Sequence, residues 1–328
     1  MKKILLIGGE GYIGQVVSKY LIDNNYKVLS YDNLIYFKSK KHTNYINNDN
    51  YSYEYGDIRN LDKLLELIDK VDHVVLLAGL VGDPITKKYP ELAKEINDKA
   101  IIDLIDLVSV KNVDRFIFVS TCSNYGLQKS NELANESTEL QPLSLYSKSK
   151  VNAENYIMSL KNRENFKPTI LRFATAFGLS PRMRFDLTVN EFVRTMYKNN
   201  LLEIYDQETW RPYCHVLDFA RLIHLVLKSD LDKTYFEIFN AGADINNATK
   251  KMIVDYIKKI NDSKNIKFIE NGFDKRNYKV DFKKVKNILG FEAKFSINYG
   301  INEIIKELEN GNFIDNTEDD YGNYIVYE

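Results

Sequence analysis

The residues best suited to do chemistry lie in the pentapeptide YSKSK, which holds Tyr146 and Lys150. On a helix, residues four apart share a face, so the phenol and the amine lie side by side. A free phenol has a pKa near 10, too high for a base at neutral pH, and bringing it to about 7 takes about 4 kcal/mol of preferential phenolate stabilisation. A neighbouring ammonium and a cationic nicotinamide ring can together supply this in a partly desolvated site. The phenolate would then take a hydroxyl proton while hydride leaves for the nicotinamide, and Lys150 would also hold the nicotinamide ribose. Thr121, in VSTCSNYG, sits where a hydroxyl can steady the forming alkoxide. Ser120, Cys122 and Ser123 are rivals for that role from sequence alone.

A nicotinamide implies a dinucleotide site, and the first turn of the chain offers one. The chain has 15 glycines in 328 residues, yet Gly8, Gly9, Gly11 and Gly14 crowd into IGGEGYIGQ. A pyrophosphate needs close backbone approach, free N–H groups and the positive end of a helix dipole. A side chain at Gly8 or Gly11 would block that approach, and Gly14 lets the helix pack closely on a strand. Asp32, at the end of the second apolar run, can accept both ribose hydroxyls and repel a 2′-phosphate, which favours NAD over NADP. Lys38, Lys40 and Lys41 follow closely and leave some NADP tolerance open. Asp57, in GDIR, falls where the adenine amino group would need an acceptor.

The periodicity predicts elements that place these residues together. Strands are expected at 3–8, 27–31, 51–55, 73–79, 115–120 and 168–173, and helices at 12–24, 61–68, 91–110 and 144–161. Such alternation predicts an α/β fold with a doubly wound, mostly parallel sheet, whose ligands sit beyond the carboxyl ends of the strands. After residue 178 the regularity drops. Helices are expected at 187–198, 217–228, 249–260 and 297–308, with short strands at 202–205, 236–239 and 266–269. The reading is a dinucleotide-binding domain over 1–178, a smaller α/β lobe over 179–310 with segments returning to the first domain, and an acidic, Tyr-rich tail over 311–328.

Composition narrows the partners. A net charge of −1 gives no electrostatic case for nucleic acid or a membrane surface. The two cysteines, Cys122 and Cys214, match no metal-ligand spacing and do not suggest a disulfide framework. No run approaches a membrane span, and the short N-terminal apolar run is broken too early for a signal peptide. A cytoplasmic location is the expectation.

Taken together, the glycine turn, Asp32, Asp57, LLAG, Thr121, Tyr146-x-x-x-Lys150 and RPYCHVLDFA resemble the extended short-chain dehydrogenase/reductases, in their NAD-dependent nucleotide-sugar epimerase/dehydratase group. The resemblance covers nearly the whole chain. It implies a Rossmann domain binding NAD, a C-terminal lobe binding a nucleoside-diphosphate sugar, and a homodimer built on the helices at 91–110 and 144–161. It implies Thr121, Tyr146 and Lys150 as the catalytic triad. It extends the cofactor set to Tyr12, Ile13, Asn33, Ile58, Leu77, Ala78, Gly79 and Phe173. Arg211 and Arg276 match arginines that grip the sugar-nucleotide pyrophosphate, where a planar pair of donors suits each phosphate. Arg182, with Arg184, is a further substrate candidate.

The chain also departs from the group. Its 4,6-dehydratases carry Asp-Glu directly after the catalytic Thr, whereas Cys122 and Ser123 stand here and cannot do that acid/base work. Thr175 replaces an Asn frequent near the substrate phosphate. The runs LAGLVGDP, FGLSPRMRFDLTVN and DKRNY look most similar to a subgroup that includes a GDP-manno-heptose 4-dehydrogenase of capsule biosynthesis. Two outcomes stay open after oxidation at carbon 4. Release of the keto sugar makes a dehydrogenase, and return of the hydride to the other face makes a 4-epimerase. A non-catalytic NAD-binding protein is the rival from another class.

Overall fold

The computed structural model describes residues 1–36, 47–128, 132–261, 265–272, 276–313 and 321–327; Lys38, Lys40 and Lys41 lie outside them. Seven strands form one parallel sheet: β1 (Lys3–Ile7), β2 (Lys27–Asp32), β3 (Tyr51–Tyr55), β4 (His73–Leu76), β5 (Arg115–Thr121), β7 (Pro168–Phe173) and β11 (Glu237–Ala241). Their order is β11-β7-β5-β4-β1-β2-β3, and every neighbouring pair is parallel. The central strands are continuous apolar runs because helices cover both faces. On one face α1 (Tyr12–Asp23) packs against α8 (Val216–Lys228). On the other lie α2 (Leu61–Ile68), α5 (Ile101–Ser109) and α6 (Leu145–Ser159). Strand order reverses between β1 and β4, which opens a crevice at their carboxyl ends.

The smaller lobe is built from short strands. β8 (Thr175–Phe177) pairs with β10 (Trp210–His215), which pairs with β12 (Asn247–Thr249). β9 (Leu202–Tyr205) pairs with β13 (Ile266–Ile269), and β6 (Leu133–Ala134) with β14 (Lys279–Val280). Helices α7 (Thr188–Tyr197), α9 (Lys250–Lys258) and α11 (Ile297–Glu309) bury a second apolar core around Phe192, Ile253 and Ile301. The strand expected at 236–239 does not stay in this lobe: as β11 it joins the large sheet beside β7, and α8 likewise returns to the large domain.

Several short elements were not expected from periodicity, among them the helices α3 (Asp83–Lys88) and α10 (Lys283–Leu289) and the strands β6, β8, β10, β12 and β14; α4 (Pro90–Ala93) opens the helix expected at 91–110. The helix read over 91–110 is interrupted by a π-helical stretch, Lys94–Ala100, before α5. Tyr321–Tyr327 of the acidic tail lies back on the chain's own body: the Phe185 amide donates to the Tyr321 carbonyl at 2.7 Å and the Tyr327 amide to the Ile35 carbonyl at 2.8 Å.

Candidate active site

The crevice above the sheet is one continuous cavity of about 490 Å³. Its floor is the β1–α1 turn. Gly8 adopts φ +87°, and a Cβ there would sit 2.6 Å from the Ala78 amide nitrogen. Its glycine is therefore demanded by the neighbouring strand end, not only by a ligand. A Cβ on Gly14 would meet the Gly8 carbonyl oxygen at 2.4 Å, so this glycine seats α1 on the turn. Gly11 differs: a Cβ there would meet only the Gly8 carbonyl oxygen, at 3.4 Å, and would project from a residue that lines the cavity. The amino end of α1 faces the same space, since Tyr12, Ile13 and Gly14 line it. The Tyr12 hydroxyl itself turns to the smaller lobe and donates to the Gly178 carbonyl at 2.6 Å.

Asp32 lies on the cavity wall at the end of β2, accepting from the Leu34 amide at 2.8 Å and the Glu10 amide at 3.0 Å. Burial pushes its carboxyl up to about 6, so it is an anion at neutral pH. Asn33 and Ile58 line the cavity beside it. Asp57 is not among the lining residues; it accepts from Asn33 at 2.7 Å and from Arg59 at 2.9 Å. Burial works to raise the Asp57 pKa, but the bonds from Arg59 and Asn33 outweigh it and hold the carboxyl below its usual range. Leu77, Ala78 and Gly79 line the cavity after β4. Phe173 lines it from β7 and stacks on Phe219 at 3.7 Å between ring centroids.

Thr121, Tyr146 and Lys150 meet on one wall. A capping box, Ser144 with Ser147, starts α6 just before Tyr146 and fixes the helix on which the phenol and the amine share a face. Thr121 ends β5 and hydrogen-bonds the Tyr146 hydroxyl. Of the three rivals, Ser120 donates to the buried Glu154, the Cys122 thiol donates to the Arg172 carbonyl at 3.1 Å, and Ser123 accepts from Arg276 at 3.3 Å. Burial drives the Cys122 thiol well above its ordinary pKa, so it is inert as an acid or base.

The electrostatics differ from the expectation at one point. The Lys150 ammonium does not sit against the phenol oxygen; it donates to the Val119 carbonyl at 2.8 Å and lies 6.0 Å from the Tyr146 ring centre. Burial lowers the Lys150 pKa to about 8. Burial, reinforced by the Asp83 carboxylate, raises the Tyr146 phenol instead of lowering it. Activation of this phenol thus requires positive charge beyond what Lys150 supplies in this arrangement.

Arg211 and Arg276 are linked on the cavity wall beside Ser123. Arg211 donates to the carbonyls of Trp210, at 2.8 Å, and of Arg276. The Arg276 guanidinium pairs with Asp83 at 3.1 Å. Arg182 donates to the Gly322 carbonyl at 3.2 Å and sits 5.5 Å over the Tyr36 ring, in the electrostatic reach of Asp32. All three arginines line the same cavity. Burial and Arg184 lower the Arg182 pKa to about 10.

Sequence reasoning missed several residues. Asp83 is one. Asn97 is another: its side chain accepts from the Leu80 amide and donates to the Leu80 carbonyl, both at 2.9 Å, clamping the loop after β4. A polar residue among Ile96, Ala100 and Ile101 was its available signal. Glu154, one turn after Lys150, pairs with Arg172 at 2.6 Å beneath the triad, and both are buried.

Residues 4–242 match the family described as the NAD dependent epimerase/dehydratase family. The chain is 24% identical to a UDP-glucuronate 4-epimerase of Thermodesulfobacterium geofontis, over 92% of this chain and 94% of that one. It is 25% identical to the human dTDP-D-glucose 4,6-dehydratase, over 83% and 78%. Among solved structures it resembles the UDP-glucose 4-epimerase of Thermotoga maritima with UDP-glucose, at 25% identity and a TM-score of 0.83, covering 94% of this chain and 99% of that one. The amino end of α1, which no side chain caps, and an acidic residue at the end of β2 fit a dinucleotide. The chain is therefore an enzyme of the NAD-dependent epimerase/dehydratase family, with NAD as its cofactor.

Proposed function

We propose that this enzyme oxidises carbon 4 of a nucleoside-diphosphate sugar, as a 4-dehydrogenase, with a GDP-heptose of a surface-polysaccharide pathway as the leading candidate. The reading is carried by the meeting of Thr121, Tyr146 and Lys150 with Gly11, Arg211 and Arg276 around one cavity. Tyr146 takes the proton of the carbon-4 hydroxyl. Thr121 holds the same oxygen as negative charge develops. Lys150, still cationic at neutral pH, holds the nicotinamide ribose. A bound NAD would supply the hydride acceptor and the positive ring that favours the phenolate. Arg211 and Arg276 grip the diphosphate of the sugar nucleotide, and Asp32 the adenosine ribose. The segment up to 178 carries the cofactor, most of 179–310 the substrate, and the protein works in the cytoplasm as a homodimer.

A 4-epimerase is the second reading, favoured by the relatives that carry that name. A 4,6-dehydratase is disfavoured, because neither Cys122 nor Ser123 can serve as a carboxylic acid or carboxylate. The test begins by denaturing the purified protein and identifying the released cofactor and its redox state. NADH absorbance is then followed against GDP-, UDP- and dTDP-sugars. Net NADH formation supports the dehydrogenase, and inversion at carbon 4 without it supports the epimerase. Tyr146→Phe is expected to lower turnover by about 10³-fold while leaving NAD binding nearly intact. Unchanged turnover refutes the base assignment.

A further inference from the structure

The tail segment Tyr321–Tyr327 crosses from the smaller lobe to the large domain beside the cavity. At the lobe, the Tyr321 carbonyl accepts from the Phe185 amide at 2.7 Å and the Gly322 carbonyl from Arg182 at 3.2 Å. The Tyr321 ring packs edge-on against Phe185 and Phe313. At the large domain, the Tyr324 carbonyl accepts from Lys88 at 3.0 Å, and the Tyr327 amide donates to the Ile35 carbonyl at 2.8 Å. Val326 packs on the core beneath the sheet. The middle of this bridge, Asn323 and Tyr324, lines the cavity.

Asn323 is the residue of interest. It is 7% exposed, and its Oδ1 atom has no hydrogen-bond partner among the described residues. Its backbone amide donates to the Asp186 carboxylate, which Arg184 also holds at 2.5 Å, so the residue is fixed in place. A buried amide oxygen left without a donor is costly, and buried polar groups usually have partners. Arg182, Tyr36 and Ile35, the neighbours of this bridge, all line the cavity near the end of β2, where Asp32 stands.

We propose that Tyr321–Tyr327 is a wall of the dinucleotide site, and that the Asn323 carboxamide binds the ribose–diphosphate stretch of NAD. A carboxamide suits that role: it accepts from a ribose hydroxyl, donates to a phosphate oxygen, and brings no charge to repel the phosphates. The cavity that Asn323 lines also holds Asp32, at the proposed adenosine end, and Tyr146, at the proposed reacting end. The inference rests on NAD being the cofactor and is independent of which sugar is oxidised.

The test uses the full chain stripped of nucleotide, with Asn323→Ala and the near-isosteric Asn323→Leu. NAD, ADP-ribose and UDP are titrated by calorimetry, and melting temperatures are recorded alongside. Both variants are expected to bind NAD and ADP-ribose about tenfold more weakly, with UDP unchanged and the melting temperature without ligand close to wild type. Wild-type affinity for NAD in both variants overturns the proposal. Loss confined to UDP also overturns it, because the residue then serves the sugar nucleotide. A variant that melts early yet keeps NAD affinity marks a structural role and overturns it too.

Discussion

Asp83 and Arg276 form an ion pair at 3.1 Å on the cavity wall, and the same Asp83 carboxylate raises the Tyr146 phenol. One acidic side chain therefore acts at both ends of the proposed reaction. It holds a guanidinium that a diphosphate would otherwise claim, and it opposes formation of the phenolate. Asp83→Asn removes a negative charge near the phenol, so Tyr146 deprotonates more readily. The acidic limb of the kcat profile is expected to move to lower pH, with turnover at about pH 6.5 rising a few-fold where the free base limits the rate. A profile unmoved in either direction refutes the coupling.

Lys150 links the site to stability. Its pKa falls from 10.5 unfolded to about 8 folded, because burial disfavours the ammonium. Below pH 8 it is charged in both states and the burial penalty is fully present. Between 8 and 10.5 the unfolded chain binds more protons, so stability rises with pH. The relief amounts to at most about 3 kcal/mol. Urea denaturation of Lys150→Met, compared with the parent across that window, is expected to lack this rise.

Glu154 and Arg172 are a buried pair beneath the triad, joined by Ser120, Asn124 and Tyr125. Truncation of one partner leaves the other charge stranded. Glu154→Ala is expected to destabilise the protein by about 3–5 kcal/mol in chemical denaturation, whereas a surface pair such as Lys19–Asp23 contributes under about 1 kcal/mol. Equal effects at the two sites would sink this distinction.

The glycines of the first turn separate folding from binding. Gly14→Ala puts a methyl group 2.4 Å from the Gly8 carbonyl oxygen, so α1 must shift, and a loss of several kcal/mol, about 2–4, is expected. Gly11→Ala meets only an ordinary contact with protein. It is expected to keep the melting temperature and weaken NAD at least about tenfold, since the methyl group enters ligand space. Thermal denaturation paired with NAD titration reads both.

The large sheet was legible because fully buried parallel strands are written as apolar runs, and KILLI, HVVL and PTILRF are such runs. The helices carrying Tyr146 and the glycine turn were legible because their spacing is local. The sheet place of β11 was not, since periodicity reports a strand but not its neighbour. Asp83, Asn97 and Asn323 escaped for the same reason: each acts on a residue distant in the chain. Gly8 was singled out for its approach to a ligand, but its nearest constraint is the Ala78 backbone, 70 positions further along the chain, which a Cβ would meet at 2.6 Å.

The return of α8 and β11 to the large domain, with β12 passing back to the smaller one, stitches the two bodies together with several threads of the same polypeptide. Neither half can be released by one proteolytic nick, and neither can swing on a lone swivel. The proposed sugar nucleotide must then enter between bodies tied to each other at more than one point, which restricts how far the entrance can widen.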